Sequence, residues 1–156
     1  TMQEAYRFIE WKAVFLIAGM LPLGQALDRT GAAAFLADGV VTLVGPLGPL
    51  GVLTGLVVLT FGGTCFIPTA ALVVLMAPIA LSTAAETGLS PHALMMGIAL
   101  AASASFMTPI SHPANVLVMG PGGYRFSDYL KVGGAMTLVV LAVILSALPG
   151  IWPLSP

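Results

Sequence analysis

Apolar residues run in blocks along this chain, and short polar or Gly/Pro-rich stretches separate the blocks. Residues 1–10, TMQEAYRFIE, mix charge with Tyr6, Phe8 and Ile9, the pattern of a short interfacial helix or of a frayed leader. The run KAVFLIAGMLPLGQAL, 12–27, predicts a first helix, kinked or broken near Gly19, Pro22 and Gly24. Charged residues at 28–29 and a glycine at 31 punctuate it, and a second helix is predicted over 32–44. GPLGPLG at 45–51 is a turn. Two apolar arms, 52–61 and 70–85, then flank the tip GGTCFIPT. Ten helical residues reach only about 15 Å, half a hydrocarbon core. Short arms on a polar tip therefore predict a re-entrant hairpin bringing Thr64, Thr69 and unpaired amides to mid-depth. A single kinked span over 51–85 is the competing arrangement.

After a loop at 86–91, with Ser90 as N-cap and Pro91 opening the helix, an Ala- and Ser-rich helix is predicted from His92 to Met107. Its small residues favour close packing. Thr108-Pro109 should end it, because proline lacks the backbone donor and disfavours helix in the residue before it. His112 precedes Pro113 and is expected off the helical conformation for the same reason. Between Ser103 and Arg125 the chain reads SASFMTPISHPANVLVMGPGGYR. Thr108, Ser111, His112 and Asn115 cluster there, with carbonyls freed by Pro109 and Pro113. GPGGYRFSDYLK, 120–131, lacks the spacing and Lys-Ser/Thr ending of a phosphate-binding loop and predicts a turn into a short amphipathic helix. The last apolar segment is 132–148, and 149–156 closes at an interface with Trp152.

Composition turns these helices into membrane segments. Hydrophobic residues make up 58% and charged residues 7%, with a mean hydropathy of +1.05, against roughly 25% charge in a soluble domain. From Gly39 to Tyr124 the one charged residue is Glu86, and none follows Lys131. At about 20 residues per span, the chain holds about five membrane segments in one domain, 1–156. The fold class expected is all-α integral membrane, multi-pass in the lipid bilayer of a cell membrane. Nucleic acid is excluded as a partner, since no basic stripe exists.

Freed backbone at membrane depth is tolerated where protein buries it or a water-filled cavity wets it, so the 108–115 patch reads as part of an ion or solute site. Thr64 and Thr69 offer oxygens suited to sodium. His112 could donate to an anion, carry a proton or simply cap a helix. Asn115 could cap a helix, face an oxyanion, or both. Asp38 lies about two turns, roughly 10 Å, from the charged loop, so it reads as a near-interface carboxylate or as a charge carrier. Gly51 and Gly55 form a GxxxG pair that more often marks close packing. Cys65 is the lone cysteine, and His92, His112 and Cys65 are too scattered for a zinc site. No Ser-His-Asp order, paired carboxylates or Cys/His cluster is visible, so the chain reads as not an enzyme, with no cofactor.

The stretch SFMTPISHPANVLVMGPGGYRFSDYLKVG closely resembles the broken late helix of divalent anion/sodium symporters, the carriers of sulfate, citrate and C4-dicarboxylates. WKAVFLIAGMLPLGQALDRTGAA resembles the start of that family's second half, and TAALVVLMAPIAL the helix after its hairpin tip. The resemblance implies an inverted-repeat transporter with a re-entrant hairpin and a broken helix in each repeat, usually homodimeric. This chain would be the C-terminal five-segment repeat, missing the N-terminal repeat it needs to transport. It implies sodium as coupling ion, a small divalent anion as substrate, and a prokaryotic inner-membrane location. Site residues would be Thr64, Thr69, Thr108, Ser111, His112 and Asn115, with the helix break at Pro109 and Pro113. The family's Ser-Asn-Thr tip is here Pro68, Thr69 and Ala70, which leaves Thr64 and Thr69 as the tip's candidates. His112-Pro113-Ala114-Asn115 replaces the Thr-Pro-Pro-Asn of dicarboxylate carriers and places the chain nearest the sulfate-type branch. Two alternatives stay open: a non-transporting scaffold or dimerisation module, and a metalloid or proton antiporter using Asp38 and His112.

Overall fold

The computed structural model describes residues 11–109 and 112–155. Residues 1–10, where an interfacial helix is expected, and Ser111 lie outside that range. Every regular element among the described residues is helical: α1 (Trp11–Arg29), α2 (Ala32–Val44), α3 (Pro49–Thr64), α4 (Thr69–Thr87), α5 (Pro91–Ser103), α6 (Pro113–Met119) and α7 (Phe126–Ile151). A 3₁₀ turn over Gly45–Leu47 joins α2 to α3.

Several boundaries differ from the expected ones. The first helix continues through Pro22 without a break. The hairpin arms are longer than the sequence suggests, 16 residues in α3 and 19 in α4. At 1.5 Å per residue α4 reaches about 28 Å, so the short-arm argument does not hold for it. Three of the tip amides are paired: Cys65 N–H donates to Gly62 O at 3.3 Å, while Phe66 and Ile67 donate to Gly63 O at 3.1 and 2.9 Å. The turn expected after 120 forms over 120–123, but the short helix expected after it and the last apolar segment fuse into one 26-residue helical stretch, α7. Within it Tyr129–Gly133 winds as a π turn, and Pro149 is accommodated in the last turn.

The core forms around α4 and α5. Helix α4 packs against α1, α2 and α5, and α5 also meets α3 and α7. Leu53, Leu56 and Val57 of α3, Leu72, Met76 and Ile79 of α4, Leu94 and Ile98 of α5 and Leu148 of α7 share one buried cluster. Gly97 makes the α5 contacts possible, since a β-carbon there would lie 2.7 Å from Leu53 Cδ1. Ala93 and Ala101, one turn to either side, are fully buried and extend the small-residue stripe expected of this helix. The Gly51/Gly55 pair is a packing feature too, because β-carbons there would run into Leu47, Val44 and Val40.

Direction follows from the contacts. Leu53 meets Gly97 and Thr108 meets Cys65, so α3 runs alongside α5. Thr69 meets Ala102, so α4 runs back against it. The chain therefore reverses at residues 65–68 and α3–α4 is a helical hairpin, not one kinked span. Outward faces stay apolar: Leu138, Val139, Val143 and Ile151 of α7 and Leu43 and Leu47 beside α2 are exposed. Exposed apolar faces of this kind suit lipid. Helices α4 and α7 are long and apolar enough to cross a membrane.

Candidate functional site at the helix break

Proline chemistry explains where the late helix opens. In an α-helix Pro109 N–H would bond to the carbonyl of Ser105, four residues back; proline has no such proton and its ring crowds that carbonyl. The helix in fact ends at Ser103, one turn before the expected Met107, and no helix is assigned from Ala104 to Pro109. It resumes at Pro113, whose preceding residue His112 is extended (φ −141°, ψ 135°). Residues 104–109 and His112 are thus non-helical, as the two X-Pro pairs favour.

The carbonyls released by this break find a specific partner. Asn115 Nδ2 donates to Ser105 O at 3.0 Å and to Thr108 O at 3.2 Å. The Ser105 carbonyl is the one Pro109 leaves without its helical donor. Two carbonyls facing one end of the amide fix that end as the nitrogen. Both amide hydrogens of Asn115 are thus directed at backbone oxygens. Its backbone N–H donates to His112 O at 3.0 Å, and Ala114 N–H donates to His112 Nδ1 at 3.3 Å. His112 caps α6 through that nitrogen and is otherwise exposed.

The hairpin tip meets the break. Thr108 Oγ1 donates to Cys65 O at 3.4 Å, and Thr69 Oγ1 donates to Ala102 O at 3.3 Å. Thr108 is buried and Thr69 half-buried. Thr64, 1% exposed, donates to Phe61 O of its own helix at 2.7 Å. The structure therefore gathers Thr69, Thr108 and Asn115 around one tip-to-break contact. Thr64 sits at the end of α3 beside it, His112 caps the far half-helix, and Ser111 is outside the described residues. Helix α4 starts at Thr69 with Pro68 as N-cap, a residue with no side-chain oxygen for the first-turn N–H groups. Asp38 is elsewhere, exposed on the groove between α2 and α3.

Three features escape a reading of the sequence. Ser105 contributes through its buried backbone, and the i−4 position relative to Pro109 was the available signal. Tyr129 Oη donates to Asn115 O at 2.8 Å. Gly133, at the end of the π turn, lies so close to Phe106 that a β-carbon would overlap its carbonyl oxygen. A cavity of about 300 Å³ adjoins these contacts, lined by Phe106, Asn115, Tyr129 and Gly133 among others. No group of three or more His, Cys, Asp or Glu side chains able to hold a metal occurs among the described residues. The ligating chemistry here is backbone carbonyl and hydroxyl oxygen, which suits a hard cation.

The sequence profile of the citrate transporter family matches residues 1–90 and 52–155. The chain belongs to that family of membrane transporters. It is 44% identical over 151 residues to YfbS, an uncharacterized transporter of Escherichia coli K12, covering 97% of this chain and 25% of the relative. A transporter of Synechocystis, also uncharacterized, is 39% identical over 88% of this chain and 22% of its own length. A sodium-dependent high-affinity dicarboxylate transporter of Caenorhabditis elegans is 29% identical over 92% of this chain and 25% of its own length. The chain thus spans about a quarter of the length of these relatives. The relatives are transporters rather than enzymes, in keeping with the absence of catalytic apparatus in the sequence.

Proposed function

We propose that this citrate-family chain is the C-terminal repeat of a sodium-coupled symporter for a small divalent oxyanion, sulfate or a dicarboxylate. The observation that carries the reading is the direct tie between hairpin tip and helix break, Thr108 to Cys65, backed by Thr69 to Ala102 in the last turn before the break. A tip and a break meeting through backbone carbonyls and threonine hydroxyls resemble the discontinuous-helix sites of secondary transporters. Sodium would be held by oxygens of this contact: the hydroxyls of Thr69 and Thr108, the carbonyls they touch, and Thr64 beside them; Ser111 joins this set on its place in the sequence alone. A carbonyl oxygen has two lone pairs, so accepting one hydrogen bond does not exhaust it. The anion would be met by the N-terminal first turn of α4, by His112 and by the matching repeat, without an intramembrane Lys or Arg. The sodium-dependent dicarboxylate carrier among the relatives supports the choice of ion and substrate class. In this reading the rest of the polypeptide supplies the N-terminal repeat, the hairpin is re-entrant, and the protein works as a homodimer in a prokaryotic inner membrane.

The test is uptake of radiolabelled sulfate and of succinate by the complete polypeptide in proteoliposomes, with sodium or choline outside. Sodium-dependent accumulation of one anion is expected. Uptake of neither, at any sodium concentration, removes the symporter reading.

A further inference from the structure

Helix α7 touches both the gap itself and the half-helix beyond it, at the two ends of one π turn. Within the gap, Gly133 lies against the Phe106 carbonyl at a distance only glycine allows. After the gap, Tyr129 Oη reaches the Asn115 carbonyl at 2.8 Å. The five-residue π turn Tyr129–Gly133 connects these contacts, and π turns recur where a helix must present its residues out of register at functional sites. The Tyr129 ring is itself held edge-on by Tyr124, with centroids 6.1 Å apart and planes at 73°. From Asn115 the contact continues inward: its side-chain amide holds the Thr108 carbonyl, and the Thr108 hydroxyl holds Cys65 at the hairpin tip.

We propose that Tyr129 is a positioning residue, a clamp that fixes the second half-helix and, through Asn115 and Thr108, sets how tightly the hairpin tip closes on the break. The clamp itself rests on the contacts above; its consequence for sodium rests on the proposed transport reading. Phenylalanine at position 129 keeps the ring and its contact with Tyr124 and removes one hydrogen bond.

The experiment uses the complete polypeptide in native membranes and reads the rate at which N-ethylmaleimide modifies Cys65, followed by mass spectrometry of the Cys65 peptide. Tyr129→Phe should raise that rate about three- to tenfold, the factor expected from losing one hydrogen bond. Ser146→Ala removes a hydroxyl from an exposed part of the same helix, where it bonds to Val143 O, and should leave the rate unchanged. A Tyr129→Phe protein modified at the wild-type rate overturns the clamp. In parallel uptake assays Tyr129→Phe should raise the sodium concentration for half-maximal uptake by a similar factor with the maximal rate retained. Faster Cys65 modification with unchanged sodium dependence overturns the positioning role. Should wild type take up neither anion while Tyr129→Phe still accelerates modification, the transport reading falls and the clamp stands.

Discussion

Replacing Asn115 separates two roles for its side chain. The amide nitrogen faces the carbonyl oxygens of Ser105 and Thr108 at 3.0 and 3.2 Å. Aspartate keeps the shape but puts an oxygen where that nitrogen stood, against two other oxygens and with no proton to share. Alanine removes both donors and adds no repulsion. Losing two hydrogen bonds costs about 2 kcal/mol by the usual net value. That corresponds to roughly a thirtyfold change in an equilibrium constant. For aspartate the buried Ser105 carbonyl also faces an oxygen, and the penalty rises to about 3 kcal/mol or more, on the order of a hundredfold.

If the break must hold this geometry to bind sodium, the sodium concentration for half-maximal uptake should rise from wild type to Asn115→Ala to Asn115→Asp. A side-chain oxygen acting as a sodium ligand predicts the opposite order for the two variants, because a carboxylate would bind the cation better than a methyl group. The assay is initial-rate uptake of the transported anion into proteoliposomes across a sodium series, each variant normalised to inserted protein. Asn115→Asp with a half-saturation at or below that of wild type would refute the positioning argument.

Gly133→Ala should be severe, since its β-carbon would lie 2.6 Å from the Phe106 carbonyl carbon. An overpacking cost of about 1–3 kcal/mol should appear as a lower thermal midpoint in detergent, and a midpoint equal to wild type would show that the backbone yields freely. Thr108→Val, which removes the link to Cys65 O, should weaken sodium activation. Thr60→Val should not, because Thr60 is fully buried and donates only to Leu56 O of its own helix at 2.7 Å; equal effects in sodium titrations would disconnect the tip-to-break contact from sodium. Thr137 is 1% exposed and its hydroxyl has no hydrogen-bond partner among the described residues. Thr137→Val should therefore be neutral or stabilising by up to about 1–3 kcal/mol, measured by thermal denaturation; clear destabilisation would mean the hydroxyl holds a buried water.

The break was legible because its cause is local. Two X-Pro pairs four residues apart strongly disfavour a continuous helix, whereas the isolated Pro22, Pro78 and Pro149 are each absorbed within one. Its exact start was not legible, because a distant residue decides it. Residues 104–107 could have stayed helical on propensity alone, yet the Ser105 and Thr108 carbonyls turn to Asn115. The hairpin arms were read too short for a similar reason. Pro49 and Gly62-Gly63 look like punctuation, but the first serves as the opening residue of α3, and a helical Gly63 gives room to Leu72 of the returning arm. The π turn left no pattern that apolar periodicity can register. Only the adjacent glycines at 133 and 134 hinted at it. Thr69, Thr108 and Asn115 could be chosen from the sequence as polar residues in lipid-like surroundings. Which of their atoms act outward, and which hold the backbone, depends on partners far along the chain.

That distinction bears on what the break can bind. Several of its polar hydrogens are assigned among the described residues: both on the Asn115 amide go to carbonyls, the Ala114 N–H goes to His112, and the Tyr129 hydroxyl goes to Asn115 O. Its oxygens are numerous, with the carbonyls of Cys65, Ala102, Ser105 and Thr108 gathered by side chains from three elements. A carbonyl can accept twice, whereas a spent N–H cannot donate again. A contact this rich in carbonyl oxygen favours a cation over an anion. The anion's donors should then come from His112, from the first turn of α4 and, in the proposed transporter, from the opposing half. Sodium bound among these carbonyls would supply the positive charge that the site's own side chains lack, so anion affinity should depend steeply on sodium. An anion whose binding to the complete polypeptide is unchanged when sodium is replaced by choline would break that coupling argument.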